Sequence, residues 1–435
     1  IEMGDLQLEA VGMAVHTATF DLTLSMAETP QGLVGCLDYS TELFEAGTIE
    51  RMAIQLETLL EGAMADPDQR VNEIEILTKE EQQQLLVEWS GTQMDYSGKW
   101  SVLQLFEAQA EKQPEAPAVV YEGENLSYGE LNRRANQLAH FLREHGVQPE
   151  ARVGICFERS LEMVVGILGI MKAGGAYVPL DPGYPPERLN YMVKDARLKV
   201  LLTQEKMREQ FQEHGLELVF IDKDWDDVAR YSQLSLGPIA GPDNLVYLIY
   251  TPGSTGKPKG VAVTHSNLLH STLARWSTFE APLQRYLFLS SIAFDGLPGG
   301  LFWALAQGGS LHLPKQGAYS IPALVQQIAQ SEITHFGCIP SFYDLLLREA
   351  SPLLPACIKV AIVAGETCSP DLVRRHEQAV PHGDLFNEYG PAEATVWSTV
   401  YQHQKGTLRS PVPIGKPIAN AQVYVLDEKM KAVPV

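Results

Sequence analysis

The sequence predicts an α/β fold with layered, largely parallel sheets flanked by helices, and two observations carry this prediction. Short, nearly continuous apolar runs such as "APAVVY", "ARVGICF", "LKVLLT" and "LVYLIY" recur through the last three quarters of the chain. Helical patterns such as "SYGELNRRANQLAHFLREHG" separate several of these runs. Strands that are apolar on both faces and that alternate with helices are typical of parallel sheets covered on both sides.

Length and charge narrow the class of protein. With 435 residues and 45% apolar content the chain can bury a large core, and its size predicts two or three domains. It carries 54 acids and 33 bases, a net charge of −21. No basic stripe is visible, so a nucleic-acid or anionic-membrane surface is disfavoured. The longest apolar run, "MVVGILGIM", is too short to span a bilayer, and five scattered cysteines form no CxxC pair. We expect a cytoplasmic protein without nucleic-acid or membrane partners.

The chain divides by composition into a small first domain, a linker and a large second domain. Residues 16–40 alternate as strands do, and "ELFEAGTIERMAIQLETLLEGAMADP" then has helical spacing closed by an Asp-Pro pair. A polar, glycine-containing stretch follows. We expect a small α/β domain over 1–75, a linker over 76–99 and the main domain over 100–435, with further strands at "LELVFI", "IKVAIVAG" and "AQVYVL".

A glycine-rich loop is the first candidate site. The predicted strand "LVYLIY" runs into "TPGSTGKPKG", where glycines let main-chain amides turn toward an anion. Ser254 and Thr255 add hydroxyl donors, and Lys257 and Lys259 add positive charge. Residues 244–279 contain no Asp or Glu. A proline after the first lysine and the strand pattern "GVAVTH" differ from the common phosphate loop, which a helix follows, so a kinase or GTPase of that type is disfavoured. A plain surface turn is the alternative.

Several separate motifs resemble one family. "YTPGSTGKPKGVAVTH" resembles the phosphate-binding signature of adenylate-forming enzymes. "MKAGGAYVPLDPGYPPERL", "LSYGELNRRANQLA", "AFDGLPGGLFWAL" and "NEYGPAEATVWST" resemble other motifs of the amino-acid adenylation domains of nonribosomal peptide synthetases, over about residues 100–435. The earlier stretch "FDLTLSMAETPQGLVGCLDYSTELFEAGTIERM" is similar to the end of a condensation domain. The condensation motif HHxxxDG is absent, so residues 1–75 are expected to be a remnant without condensation chemistry.

The resemblance implies a ligase that activates an α-amino acid with ATP as aminoacyl-AMP and releases pyrophosphate. The activated acid would then be loaded as a thioester on the phosphopantetheine of a peptidyl carrier protein. The implied cofactors are ATP, Mg²⁺ and phosphopantetheine on the partner carrier domain. The implied partners are the amino acid and the carrier and condensation domains of one assembly line for a secondary metabolite such as an antibiotic; a small accessory protein is left open.

The resemblance also assigns the residues of the site. Thr251, Lys259 and Glu393 would be catalytic, with Glu393 as the ligand of Mg²⁺. The phosphate loop and base pocket would comprise Gly253, Ser254, Thr255, Gly256, Gly365, Asn387 and Tyr389. Tyr389 would stack on adenine, and Asn387 would bind its exocyclic amine. The amino acid would be bound by Asp295, Gly296, Gly299, Gly337, Ile362, Ala364, Glu388, Val396 and Trp397.

Two acids carry the substrate prediction. In the family the residue at Asp295 pairs with the α-ammonium, and a carboxylate beside an apolar run is costly to bury unless a cation meets it. Its alternative role is a helix N-cap. Relatives that activate aryl or keto acids tend to lack this aspartate, so it favours an α-amino acid. The pocket glycines predict open space, and Glu388 would be an unpaired acid facing it, so we expect a long or bulky side chain with a donor or a positive charge.

Departures from the family leave alternatives open. Pro252 stands where serine is usual, and Ala392 where a threonine usually donates to the α-phosphate. One lost hydrogen bond costs on the order of 1 kcal/mol, which predicts weakened activity. The sequence ends before the family's ribose-binding aspartate, hinge and small mobile subdomain, so we expect a fragment incomplete for full turnover. An acyl-, keto- or hydroxy-acid-activating ligase and a catalytically weakened scaffold module are the alternatives.

Overall fold

The described part of the chain forms two compact units. A computed structural model describes residues 2–3, 6–7, 18–96, 101–212, 215–253, 256–315, 320–350 and 354–434. One unit comprises Ile1–Ser90 with Tyr424–Val435, and the other comprises Gly91–Val423. Ser254 and Thr255, which were predicted to donate to phosphate, lie outside the described residues. The expected domain boundaries at 75 and 100 stay predictions.

The first unit contains a β-hairpin followed by a long helix. Its elements are β1 (Glu2–Met3), β2 (Leu6–Gln7), β3 (Leu22–Thr29), β4 (Gly32–Tyr39), α1 (Ala46–Ala65) and α2 (Lys79–Gln83). β3 and β4 pair antiparallel, as the alternating pattern predicts. α1 ends directly before Asp66, as the Asp-Pro pair predicts.

Part of the predicted linker has regular structure. α2 begins with a capping box in which Glu81 N donates to Thr78 Oγ1 at 3.1 Å and Thr78 N donates to Glu81 Oε2 at 3.0 Å. A π-helical turn, Gln84–Glu88, follows. In the second unit, Asn420 N donates to Thr92 O at 2.7 Å, so the stretch just after residue 90 is also fixed.

The second unit is built on two sheets. Its strands are β5 (Pro117–Tyr121), β6 (Glu124–Ser127), β7 (Arg152–Cys156), β8 (Ala176–Pro179), β9 (Val200–Thr203), β10 (Glu217–Phe220), β11 (Leu245–Thr251), β12 (Lys259–Thr264), β13 (Arg285–Phe288), β14 (Ser310–Leu313), β15 (His335–Cys338), β16 (Val360–Ala364), β17 (Asp384–Tyr389), β18 (Thr399–Gln402) and β19 (Lys416–Pro417). One sheet has the order β10-β9-β7-β8-β11-β12, and the other has the order β19-β18-β17-β16-β15-β13-β14-β5-β6. The interior pairs are parallel, and the antiparallel pairs lie toward the edges, which confirms the predicted fold class.

Helices cover these sheets. They are α3 (Val102–Lys112), α4 (Tyr128–Glu144), α5 (Leu161–Lys172), α6 (Pro186–Asp195), α7 (Arg208–Phe211), α8 (Trp225–Val228), α9 (His265–Thr278), α10 (Gly296–Gln307), α11 (Ile321–Gln330), α12 (Pro340–Glu349) and α13 (Pro370–Ala379). Hydroxyl caps fix several starts; for example, Ser160 Oγ accepts from Met163 N at 3.2 Å. α5 is buried along almost its whole length, because its residues are apolar all round.

One predicted strand is wrong. "AQVYVL" forms no strand, and within its described surroundings only an isolated bridge joins Leu426 to Ala432. Val423 and Val425 are 37% and 71% exposed, so this apolar run has no sheet edge to pair with. An apolar run becomes a strand only where a partner supplies the ladder hydrogen bonds.

No helix in the described ranges is long and apolar enough to cross a membrane.

Candidate active site

The carboxyl ends of strands from both sheets of the second unit surround one cavity. Its volume is about 760 Å³, within the usual range for small-molecule pockets. The larger sheet contributes the segments that end or follow β13, β15, β16 and β17, and the smaller sheet contributes those that follow β7 and β8. In open α/β sheets ligands bind in the crevice outside the carboxyl ends of the strands. The fold therefore places this cavity where a substrate is expected.

Asp295 lines the cavity at the start of α10. It occupies the N-cap position of that helix, but its side chain makes no capping hydrogen bond, so the alternative role as a cap is not realised. Burial, with a smaller contribution from the nearby Glu388, raises the pKa of Asp295 to about 6. A cation bound in the cavity would favour the ionised carboxylate and offset the cost of burying it.

The loop that carries this aspartate is fixed from the other sheet. We call Leu289–Asp295 the Asp295 loop. Arg159, which follows β7, donates from Nη2 to two successive carbonyls of the loop, at positions 289 and 290, over 3.0 and 2.8 Å. Ser291 in the loop donates its hydroxyl to Asp181, which follows β8. Sequence reasoning missed both roles, although "YVPLDP", which contains Asp181, was among the motifs that carried the resemblance.

Glu388 is not the unpaired acid that the sequence predicts. Arg275 on α9 donates from Nη1 to Glu388 Oε1 at 2.6 Å and from Nη2 to Glu388 Oε2 at 3.0 Å. Both side chains are only 5% exposed, and the guanidinium lies 4.4 Å from the ring centroid of Trp397. The pair is bidentate and already neutral. The premise of the substrate prediction, an unpaired Glu388, is therefore wrong. Arg275, on a helix far away in the sequence, supplies the cation that was expected from the substrate.

The pocket glycines do not leave the open space that was predicted. A Cβ built on Gly296 would lie 2.8 Å from Ser290 Oγ, and one on Gly299 would lie 2.9 Å from a methyl group of Val396. A Cβ on Gly337 would lie 2.8 Å from the hydroxyl oxygen of Tyr286. Each glycine therefore makes room for another side chain of the protein. The width of the cavity has to come from elsewhere.

Most of the predicted pocket residues line the cavity. They are Asp295, Gly296, Gly337, Ile362, Ala364, Glu388 and Val396, together with Gly365 of the predicted base pocket. Gly299 and Trp397 do not line it. Trp397 is 1% exposed and donates from Nε1 to the carbonyl of Ser271 at 3.2 Å, so it is a core residue that supports the pocket wall.

The glycine-rich loop lies between β11 and β12, which pair antiparallel. Thr251 ends β11 and donates its hydroxyl to the carbonyl of Lys259, the first residue of β12, at 3.5 Å. A Cβ on Gly253 would lie 2.1 Å from the carbonyl oxygen of Lys257, so only glycine fits there. Gly256 has φ +80°, which also favours glycine. The two lysines are exposed, as an anion-binding loop requires.

The predicted metal residue lies on a turn that contacts β12, and the predicted base residues lie on β17. Glu393 is exposed in a short helical turn, Ala392–Ala394, and this turn contacts β12. Tyr389 ends β17 and is 52% exposed, between the cavity-lining residues Glu388 and Gly390. Asn387 is buried and donates to the carbonyl of Pro413 at 2.8 Å.

The backbone after Glu393 is strained. Thr395 and Val396 have φ +63° and +76°, although neither is a glycine. Such conformations are uncommon, and a β-branched residue rarely adopts them. The two residues join the turn of Glu393 to the cavity wall, since Val396 lines the cavity. Strain of this kind concentrates at functional sites.

The donor set suits one kind of metal ion. Across the described residues, no three His, Cys, Asp or Glu side chains are grouped to hold a metal. Magnesium typically takes one or two carboxylates and completes its coordination with phosphate and water oxygens. The exposed carboxylate of Glu393 beside an anion-binding loop fits that pattern, whereas zinc or iron would need more protein ligands.

Comparison with known proteins agrees with this geometry. The AMP-binding enzyme family model matches residues 106–435, and the condensation domain model matches residues 1–86. A linear gramicidin synthase of Brevibacillus parabrevis is 40% identical over 99% of this chain and 8% of its own length. Tyrocidine synthase 2 of the same organism is 37% identical over 100% of this chain and 12% of its own length. The chain thus spans about a tenth of the length of these relatives.

Solved structures are similar too. The α-methyl-L-serine-AMP-bound form of the nonribosomal peptide synthetase FmoA3 matches 98% of this chain and 48% of its own, with a TM-score of 0.87 and 28% identity. The four-domain synthetase holo-AB3403, bound to AMP and glycine, matches 96% of this chain and 30% of its own, with a TM-score of 0.83 and 29% identity. The chain belongs to the AMP-binding enzyme family, and its similarity to nonribosomal peptide synthetases confirms the predicted resemblance to their adenylation domains.

Proposed function

We propose that this chain activates an α-amino acid with ATP, forming aminoacyl-AMP and releasing pyrophosphate, as part of a nonribosomal peptide synthetase. The observation that carries the proposal is Asp295, a half-buried carboxylate with a raised pKa that lines the cavity and does not cap its helix. An α-ammonium would supply the missing positive charge. The similarity to synthetases solved with an aminoacyl-AMP, or with AMP and an amino acid, supports the same reaction.

The reaction joins two anions. An oxygen of the substrate carboxylate attacks the α-phosphorus of ATP, a new O–P bond forms, and the bond from the α-phosphorus to the bridging oxygen breaks. Pyrophosphate leaves with that electron pair. Because little covalent chemistry falls to the protein, positioning and charge stabilisation dominate.

The residues divide this work between them. Asp295 holds the α-ammonium and so aims the carboxylate of the substrate. Lys259, Thr251 and the amides of the glycine-rich loop bind the phosphates, with Ser254 and Thr255 as further donors. Tyr389 stacks on the adenine, Asn387 binds its exocyclic amine, and Gly365 lines the base pocket. Asp295 and Gly365 both line the cavity, and Tyr389 lies between two residues that line it, which supports these roles.

Glu393 would hold Mg²⁺ next to the phosphates. When bound, the ion supplies positive charge against the polyphosphate. Glu393 itself supplies a hard oxygen ligand, on a turn that contacts β12, the strand that begins at Lys259.

The wider role follows the architecture of the relatives. We propose that the amino acid is afterwards loaded as a thioester on the phosphopantetheine of a carrier domain and passed to condensation domains, in the cytoplasm, for synthesis of a peptide secondary metabolite. Residues 1–86 match a condensation domain, and the relatives are synthases of peptide antibiotics, which supports this context.

Amino-acid-dependent ATP–pyrophosphate exchange by the protein that carries this sequence tests the proposal. We expect exchange with at least one α-amino acid, and a loss of a hundredfold or more in Asp295→Asn, because an amide cannot balance the ammonium. Exchange supported by keto or hydroxy acids in preference to amino acids would favour the alternative ligase. Complete absence of exchange, with ATP still bound, would favour a scaffold role.

A further inference from the structure

We propose that Tyr286, together with the Arg275–Glu388 pair behind it, makes the side-chain pocket selective for amino acids with a neutral, hydrogen-bonding side chain, such as a hydroxyl or a carboxamide. Neither Tyr286 nor Arg275 belongs to the pocket positions that the family resemblance assigned. The inference rests on the proposed function, because it names the substrate class of the same cavity.

The first step of the argument concerns charge. Arg275 and Glu388 both line the cavity, and each satisfies the other through two hydrogen bonds. The guanidinium would repel a positively charged substrate side chain, and the carboxylate would repel a negatively charged one. Either would lose its hydration without gaining an unshared counter-charge. The pair therefore disfavours charged side chains of both signs.

The second step concerns the hydroxyl of Tyr286. This residue lies on β13, is 6% exposed and lines the cavity. Its hydroxyl makes no hydrogen bond to any described residue. The hydroxyl is therefore open to the cavity, where a donor or acceptor of a bound side chain can form a hydrogen bond with it. A wholly apolar substrate side chain would leave it unsatisfied.

The third step is that packing fixes where this hydroxyl points. A Cβ on Gly300 would lie 2.3 Å from a ring carbon of Tyr286, and one on Gly337 would lie 2.8 Å from its oxygen. The ring packs edge-on against Trp303, with centroids 6.0 Å apart. The two glycines therefore admit the ring, and the tryptophan holds it. A donor held this way discriminates better than one on a mobile side chain.

Apolar side chains form part of the same wall, and three charged residues that also line the cavity, Arg159, Asp181 and Glu366, hydrogen-bond to other parts of the protein. Ile362, Ala364 and Val396 line the same cavity. A side chain that fits both features has an apolar body and one polar neutral group near its end. Threonine, asparagine and glutamine have this chemistry, whereas valine, leucine and methionine match them in size without the polar group.

The test compares each polar amino acid with its apolar match, namely threonine with valine, asparagine with leucine and glutamine with methionine. The assay is ATP–pyrophosphate exchange by the protein that carries this sequence. In the wild type we expect the highest kcat/KM with a member of the polar neutral class. Tyr286→Phe removes only the hydroxyl, and it should lower the ratio of kcat/KM for the polar amino acid over its apolar match about tenfold. The matched control is Tyr247→Phe: the hydroxyl of Tyr247 makes no hydrogen bond among the described residues either, but it is buried and Tyr247 does not line the cavity. The ratio should not change in that control.

A second variant tests the charge argument. Glu388→Gln leaves the positive charge of Arg275 unbalanced, so exchange with aspartate or glutamate should rise relative to the neutral substrates. Calorimetric binding of stable aminoacyl-adenylate analogues to the same variants separates a change of selectivity from a loss of fold.

Three results would overturn the inference. They are a highest kcat/KM with a charged or wholly apolar amino acid, an unchanged polar-to-apolar ratio in Tyr286→Phe, and an acidic-substrate preference that does not rise in Glu388→Gln. If exchange depends on Asp295 but prefers a charged side chain, the selectivity inference fails and the proposed function stands. If no amino acid supports exchange, both fail.

Discussion

The two ends of the candidate site differ in how they carry charge. At the proposed amino-acid end, Arg275 and Glu388 are buried and paired with each other, and Asp295 is half-buried. At the proposed nucleotide end, Lys259 and Glu393 are exposed to solvent. Buried charges need partners from the protein before the ligand arrives, whereas exposed charges keep their hydration until then. Under the proposed function, the preformed buried pair would set selectivity for the amino acid, and the exposed residues would bind the polyphosphate.

The largest effect is expected from breaking the buried pair. Arg275→Met should lower the free energy of unfolding by about 3–5 kcal/mol, because it leaves the carboxylate of Glu388 buried without its cation. The double variant Arg275→Met, Glu388→Met should recover most of that loss, since it removes both charges. Urea denaturation of the three proteins measures the effect. A single variant as stable as the wild type would mean that the pair is not shielded from water.

A smaller effect, in activity and not in stability, is expected at the exposed end. Lys259→Ala should lower kcat/KM for ATP in the exchange assay by about a hundredfold, as loss of a charge-assisted hydrogen bond of about 2–3 kcal/mol implies. Its unfolding free energy should stay within about 0.5 kcal/mol of the wild type, as for other surface substitutions. Lys199→Ala, at an exposed lysine directly before β9, is the control and should change neither quantity. A large loss of stability in Lys259→Ala would contradict the claim that Lys259 contributes to activity and not to folding.

The pH dependence of amino-acid affinity sharpens the comparison further. Asp295, whose pKa burial raises to about 6, is protonated below that pH and then no longer holds the α-ammonium. Affinity for the amino acid should therefore be constant above pH 7 and fall up to about tenfold per pH unit below pH 6. The affinity for ATP should not follow this profile.

The titration of Asp295 affects the stability of the fold with the opposite sign. A carboxyl whose pKa is raised in the folded state adds stability at low pH, and this contribution is lost as the pH rises through about 6.

Calorimetric titration from pH 5 to pH 8 measures the affinity for the amino acid. A profile that persists in Asp295→Asn would assign the titration to another group.

The smallest effect is expected from restoring a family residue. Ala392→Thr should raise the exchange rate up to about tenfold, since one neutral hydrogen bond to the α-phosphate contributes on the order of 1 kcal/mol. Ala392→Ser supplies the hydroxyl without the methyl group and should give a similar gain, whereas Ala392→Val should give none. A rate unchanged in both hydroxyl variants would place residue 392 out of reach of the phosphates.

Local patterns predicted the architecture well, because apolar runs and helical spacing are local signals. They could not predict which residues meet across the fold. Glu388 and Arg275 lie on β17 and α9, far apart in the sequence, so the acid looked unpaired. The glycines near Asp295 suggested open space, but Tyr286 and Val396 fill it from other elements. The resemblance assigned Trp397 to the pocket, yet its side chain is buried in the core.

The left-handed backbone at Thr395 and Val396 limits how this pocket can be re-engineered. Glycine, asparagine and aspartate adopt such dihedral angles with little penalty, whereas valine at φ +76° incurs strain on the order of 1–3 kcal/mol. A mutant library at position 396 would therefore enrich small or amide-bearing residues for their backbone preference alone. Screens for altered substrates at this position should score thermal stability and selectivity separately, or variants that merely relax the chain will be mistaken for variants that recognise a new amino acid.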